Sequence, residues 1–125
     1  MKSHKDLDVW KEGVGLAKAV YEATKTFPNH EIYGLTSQMR RAAVSVVSNI
    51  AEGAARQGNK EFVQFLYLSL GSTSELDTQI EVSMQIGFGE QKSLIALQDK
   101  TEQVARMLQG LIRSVKNRSA LRERS

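Results

Sequence analysis

Few side chains in this sequence have the types that catalysis or metal binding needs, and their spacing supports neither. The two histidines, His4 and His30, fall in the terminal segment and in the first predicted connection. A di-iron site in a helical bundle is built from inward glutamates and Glu-x-x-His pairs, and no Glu-x-x-His occurs here. Cysteine is absent, which removes thiol nucleophiles, disulfide frameworks and zinc-ribbon geometries together. Neither histidine has a Gly-x-Ser-x-Gly partner, and no glycine-rich loop follows a strand. The expectation is a protein that is not an enzyme, with no metal and no cofactor.

What remains is charge. The 125-residue chain carries a formal net charge of +3. From Arg106 onward six basic residues (Arg106, Arg113, Lys116, Arg118, Arg122, Arg124) stand against Glu123 alone, a local +5 that leaves −2 on the rest. A basic end on a near-neutral body suits an anionic partner; the plainer alternative is a solubilising tail that complements a helix C-terminus. Arg40, Arg41, Arg56 and Lys60 form a second basic group. Arginine's planar fork matches phosphate oxygens, so Arg113, Lys116 and Arg118, then Arg40, Arg41, Arg56 and Lys60, are the candidate nucleic-acid contacts. Aromatic residues are scarce on the polar faces, which argues against sequence-specific reading of single strands.

The same stretch has a structural reading. Glu52 and Arg56 are four apart, the favourable order for a helix ion pair, and Asn49 stands one turn earlier. Asn49, Glu52 and Arg56 are therefore expected to form a polar network between helices or subunits. Gly53 costs up to about 1 kcal/mol against alanine in a helix. Close approach of a neighbouring helix would offset that, with Gly71, Ser69 and Ser72 as the matching thin surface.

The elements that must position these residues are helices. One proline in the whole chain and little β-branched patterning favour them. Leu7, Trp10, Val14, Ala17, Tyr21 and Thr24 recur at spacings of three and four, predicting a helix over about 7–26 that Phe27-Pro28 stops. Met39, Ala43, Val46, Ile50 and Gly53 mark a second over 36–56, with Thr36 as its N-cap; Gly58 and Asn59 then punctuate the chain. Phe62, Phe65 or Leu66, Ser69, Thr73, Leu76, Ile80 and Met84 carry a third over 60–86, broken by Gly87-Phe88-Gly89. Leu94, Leu97, Thr101, Val104, Leu108, Leu111 and Val115 carry a fourth over 90–117. Residues 118–125 read as a disordered basic tail.

Short links make sequential helices antiparallel neighbours. The expected fold is all-α: one domain over 1–117, an antiparallel up-down-up-down four-helix bundle. Two long hairpins sharing a swapped core would give the same pattern. The polar N-terminal residues lack the apolar run of a secretory signal, and no stretch of roughly 20 apolar residues suits a membrane span. The expectation is a soluble cytoplasmic protein that does not engage a membrane.

Phe62 to Leu70 holds seven apolar residues in nine, more than one buried face accommodates. Ile95 and Ile112 flank the fourth stripe, and Val9, Leu16 and Val20 form a second row on the first helix. Leaving large apolar side chains exposed forgoes about 1.5–3 kcal/mol each. Phe65, Leu66, Tyr67, Leu68, Ile95 and Ile112 are thus the candidate homo-oligomer interface; the alternative is a wide internal stripe with Tyr67 and Leu68 at its rim.

Several linked motifs in this chain resemble a known family. They are Asp6-Leu7-x-Val9-Trp10, Phe27-Pro28-x-x-Glu31-x-Tyr33-Gly34-Leu35-x-x-Gln38, Arg40-Arg41-Ala42-Ala43, Asn49-Ile50-Ala51-Glu52-Gly53, Glu61-Phe62-x-x-Phe65-Leu66 and Gly71-Ser72-x-x-Glu75-Leu76. Together, over roughly Asp6 to Lys116, they resemble the bacterial four-helix-bundle proteins encoded in 23S rRNA intervening sequences. The resemblance implies a four-helix protomer and, as in relatives, a ring-like homopentamer. The family is also similar to accessory proteins of diversity-generating retroelements, which bind nucleic acid and a reverse transcriptase. The chain departs from the family pattern at Val47, where proline is common, and at Ala54-Ala55, where an aromatic-glycine pair often stands. The resulting expectation is a homo-oligomeric binding protein that engages structured RNA or DNA through basic surfaces. The alternative is a protein–protein adaptor or scaffold that binds no nucleic acid.

Overall fold

The structure is a computed structural model that describes residues 3–124, with side-chain surroundings through Leu121. Four helices carry the chain: α1 (Asp8–Thr24), α2 (Leu35–Ala54), α3 (Asn59–Ile86) and α4 (Gln91–Arg124), with 3-10 turns at His4–Asp6 and Asn29–Glu31. The described residues contain no strand. α2 packs on α1 and α3, α4 packs on α3 and α1, and among the described residues the diagonal pairs do not meet. No helix is long and apolar enough to cross a membrane among these residues.

Local chemistry sets the helix ends. The Glu31 carboxylate accepts from the Leu35 N–H at 3.0 Å, so Gly34 is the N-cap and α2 begins at Leu35 instead of behind the expected Thr36 cap. Thr36 is buried. Gly87 closes α3 in the left-handed region at φ +80, its N–H and that of Phe88 returning to the last turn. Gly89 follows at φ +73 with the Phe27 ring pressed against it, where a Cβ would stand 2.7 Å from Phe27 Cε1. Phe27 and Phe88 meet edge to face, closing the α1 and α3 ends together. α4 runs to Arg124, past the expected start of a disordered tail at 118. Its residues after Lys116 include no glycine or proline to stop it. Ser125, the last residue of that expected tail, lies outside the described residues, as do the side chains of Arg122, Glu123 and Arg124.

The core is a single apolar cluster. Leu16, Met39, Ile50, Leu66, Leu76, Ile80, Leu94, Leu97 and Leu108 are fully buried, each worth about 1.5–3 kcal/mol before conformational entropy is set against it. The stripes expected on α2 and α4 lie in it, Leu111 at its margin. On α1 the expectation is corrected. Val9, Leu16 and Val20 are the buried row, while Trp10, Val14 and Ala17 are half-buried and Tyr21 is exposed. Both rows have helical spacing, so periodicity could not choose between them. Gly13 chooses: a Cβ there would stand 2.6 Å from Val47 Cγ1, so α1 turns its glycine onto α2 and carries Val9, Leu16 and Val20 inward.

The α2–α3 contact is thin and polar. Ser69 donates to the Val46 carbonyl at 2.7 Å, and the Ser45 and Ser72 hydroxyls meet at 2.9 Å. Further along, the Ser83 hydroxyl approaches Met39 Sδ at 3.5 Å. At Gly53 a Cβ would stand 2.6 Å from Phe65 Cβ and 3.3 Å from the Phe62 carbonyl. The close approach expected at Gly53 is therefore present, but its partners are Phe62 and Phe65. Ser69 and Ser72 face Val46 and Ser45 instead, and a Cβ on Gly71 would meet nothing within 4 Å. Hydroxyls of this size let two backbones approach while every buried donor keeps an acceptor.

Candidate nucleic-acid interface

The basic residues singled out above separate into engaged and open groups. Arg40 is engaged. Its Nε donates to Thr24 Oγ1 at 3.0 Å and its guanidinium lies 4.7 Å from the Tyr21 ring centroid, so α2 uses it to hold α1. Arg41, the next residue, is exposed. Arg56 lies 3.9 Å from the Glu52 carboxylate and 4.9 Å from the centroid of Phe65. The expected network therefore divides. Glu52 and Arg56 pair at the surface, whereas Asn49 turns back to the Ser45 carbonyl and hydroxyl at 2.9 and 3.1 Å. One turn of helix separates Asn49 from Glu52 on diverging faces.

Lys60 and Lys116 are both exposed, Lys60 with no hydrogen bond or ion pair of its ammonium among the described residues and Lys116 with a partner in Tyr67. They face each other across a shallow groove of ≈ 510 Å³ between the start of α3 and the far part of α4. Asn59, Lys60, Val63, Gln64 and Tyr67 line one side, and Lys116, Ser119 and Ala120 the other. The spacing is that of adjacent turns on each helix, so one face of each is presented. The Lys116 ammonium donates to the Tyr67 hydroxyl at 2.7 Å and sits 5.0 Å from the ring centroid, at the hydroxyl end of the ring. Gly58 caps α3 without a side-chain hydrogen bond, so its first amides add positive potential at the same end. Arg113 stands one turn before Lys116 on the same face, its guanidinium beside Gly110. Arg118 is exposed but two residues past Lys116, and so points away from the groove.

The expected oligomer interface is corrected in part. Leu66 and Ile112 are core residues at 0% and 4% exposure, so they meet nothing outside the protomer. Each lies one step around the helix from the face assigned to it, and that step separates core from surface. Phe65 is half-buried between Gly53 and Arg56. Tyr67, Leu68 and Ile95 are exposed, and Tyr67 belongs to the basic groove. Val44, Val82 and Ile86 are exposed apolar residues that the sequence pattern had not singled out.

Farther along the same two helices, Thr73, Ser74 and Asp77 of α3 and Gln98, Asp99, Thr101, Glu102 and Ala105 of α4 line a second groove of ≈ 420 Å³ with acidic walls. No group of three or more potential ligand side chains fit to hold a metal ion occurs among the described residues. The sequence reading missed the lining residues Asn59, Val63, Gln64, Ser119 and Ala120. Nothing local marks them, because Tyr67 and Lys116 are 49 residues apart in the chain.

Comparison with known proteins adds two findings. The sequence model described as "23S rRNA-intervening sequence protein" matches residues 5–110. A crystal structure from Bacteroides thetaiotaomicron, described as a protein with unknown function from the S23 ribosomal protein family, superposes with a TM-score of 0.77 at 17% identity. That superposition covers 84% of this chain and 95% of the other. No curated protein matches the chain.

Proposed function

This chain belongs to the 23S rRNA-intervening sequence protein family, and from that premise we propose that it is a non-enzymatic, homo-oligomeric protein that binds structured RNA or DNA. The observation that carries the reading is the pair Lys60 and Lys116, brought into one concave groove from distant parts of the chain and opposed by no carboxylate lining it. Arg113 extends the positive surface along α4, Arg40 is left to hold α1, and Arg41 is exposed on α2 near the far end of the bundle, level with the last turns of α3. The helices run antiparallel, up-down-up-down. Supporting this are the pairings of Met39 with Ser83, Ser45 with Ser72 and Gly53 with Phe62, whose numbers rise on α2 as they fall on α3. The assembly is a ring in the cytoplasm. A single protomer with a handful of phosphate contacts binds weakly, and a ring repeats those contacts at high effective concentration.

The test is a fluorescence-anisotropy titration with a structured RNA and a matched DNA duplex at two salt concentrations. Binding that falls steeply with salt, and is weakened and flattened by neutralising Arg113, Lys116 and Arg118 together, is the expected result. Absence of binding at low salt removes the reading.

A second reading has its own observation. Leu68, Val82 and Ile86 lie exposed on α3 and Val44 on α2, apolar side chains available to another copy or to a protein partner. Under the adaptor reading these residues stay exposed in the assembled protein. Light scattering together with hydrophobic-dye binding separates the two, because self-association that covers Leu68 leaves no apolar face for an adaptor.

A further inference from the structure

Resting on the nucleic-acid reading, we infer that the groove between Lys60 and Lys116 seats an unpaired nucleotide, its base against the Tyr67 ring and its flanking phosphates on the two lysines. Tyr67 is 47% exposed and lines the groove, so part of its ring is open to a ligand. Its hydroxyl accepts from Lys116 at 2.7 Å, which sets the ammonium at the edge of the ring and leaves the faces to a ligand. Val63 and Ala120 make the neighbouring walls apolar, matching the face of a base, while Gln64 and Ser119 offer donors and acceptors to its edge.

The chemistry distinguishes unpaired from paired nucleic acid. A duplex presents phosphates to the lysines but keeps its bases stacked inside, beyond reach of the ring. A loop, bulge or strand end presents both, and base–aromatic stacking tolerates any sequence because every base has a π-face. Farther along α3 and α4, Asp77 and Asp99 repel a backbone that strays from this end, while Glu102 is paired with Arg106 at 3.0 Å. The site thus selects an exposed base by shape and charge without reading its identity.

The experiment compares a labelled RNA hairpin carrying an unpaired loop with the duplex of its stem, by anisotropy, on the full chain and on three variants whose folding is checked by circular dichroism. The wild-type protein is expected to prefer the hairpin by about tenfold. Tyr67→Leu should erase that preference, bringing hairpin affinity down to that of the duplex. Tyr67→Phe should retain it, because the ring survives the loss of the Lys116 hydrogen bond. Lys60→Gln with Lys116→Gln should weaken both RNAs. Equal affinity for hairpin and duplex, or a Tyr67→Leu variant that keeps the preference, overturns the nucleotide seat and leaves the phosphate reading standing. Failure of wild-type protein to bind either RNA at low salt overturns both. An acidic peptide that binds the groove when neither RNA does would assign it to a protein partner.

Discussion

Two grooves of similar size lie along the same helix pair and differ in sign. One, between the start of α3 and the far part of α4, is lined by Lys60, Lys116 and Tyr67. The other, nearer the start of α4, is lined by Asp77, Asp99 and Glu102. Neither is enclosed, and each takes its character from side chains that the other lacks. A net charge of +3 hides this polarity. The difference teaches that the α3–α4 face is directional: an anionic polymer would be favoured at one end and repelled along its middle. Salt should erode both effects, because exposed charges farther apart than about 8–10 Å are largely screened at physiological ionic strength.

The largest effect is expected where the basic groove rests on its scaffold. The first turns of α3 are seated on Gly53, so Gly53→Val drives a side chain into Phe65 Cβ and the Phe62 carbonyl. Overpacking of this kind costs about 2–3 kcal/mol. A denaturant midpoint unchanged from wild type would show that the seat is looser than drawn.

Lys60→Gln with Lys116→Gln tests the basic side of the comparison directly. It should leave stability within about 0.5 kcal/mol, since both lysines are exposed. It should weaken RNA binding by about tenfold and lower the salt slope by about 2. An unaltered slope would locate the phosphate contacts elsewhere.

Arg40→Met reverses the pattern. Loss of the bond to Thr24 Oγ1 and of the Tyr21 contact should cost about 1 kcal/mol of stability with affinity unchanged. A drop in affinity at constant stability would return Arg40 to the binding surface.

The smallest effect belongs to the acidic groove. Asp77→Asn with Asp99→Asn removes repulsion without touching the proposed contacts or the Glu102–Arg106 pair. The affinity gain should stay under about threefold and vanish at high salt. A gain as large as the loss from the lysine pair would mean that the nucleic acid crosses the middle of the face, and the two grooves would then act as one surface.

The helices themselves were legible because their signals are local. The periodic apolar stripes of α2 and α4, the Phe27-Pro28 stop and the Gly87-Phe88-Gly89 break all act within a few residues. Phase was harder to read. On α1 two rows satisfied the same spacing, and the glycine at 13 that selects between them acts through Val47 on another helix. The apolar run on α3 looks too wide for one core, which points Leu66 to an interface, and Ile112 joins it as a flank of the α4 stripe; both are buried within the protomer. In the structure the core takes Phe62, Leu66 and Ser69, and only Tyr67 and Leu68 remain well exposed. The value of an arginine was harder still, since Arg40 and Arg41 are adjacent and alike in type, yet one binds α1 and the other faces solvent.

The amino-acid sequence by itself determined an all-α protein of four helices, their approximate ends except that of α4, most of the core and the absence of a Glu-x-x-His or cysteine-based site. These follow from patterns shorter than one helix, where backbone preference and burial periodicity act together. Only the tertiary structure decided that Lys60, Tyr67 and Lys116 share a groove, that Arg40 is engaged and that Asp77 stands with Asp99 and Glu102. Each of those depends on the rotation of one helix against another. That rotation is set by contacts such as Gly13 on Val47 and Gly53 on Phe65, between residues that no local pattern connects.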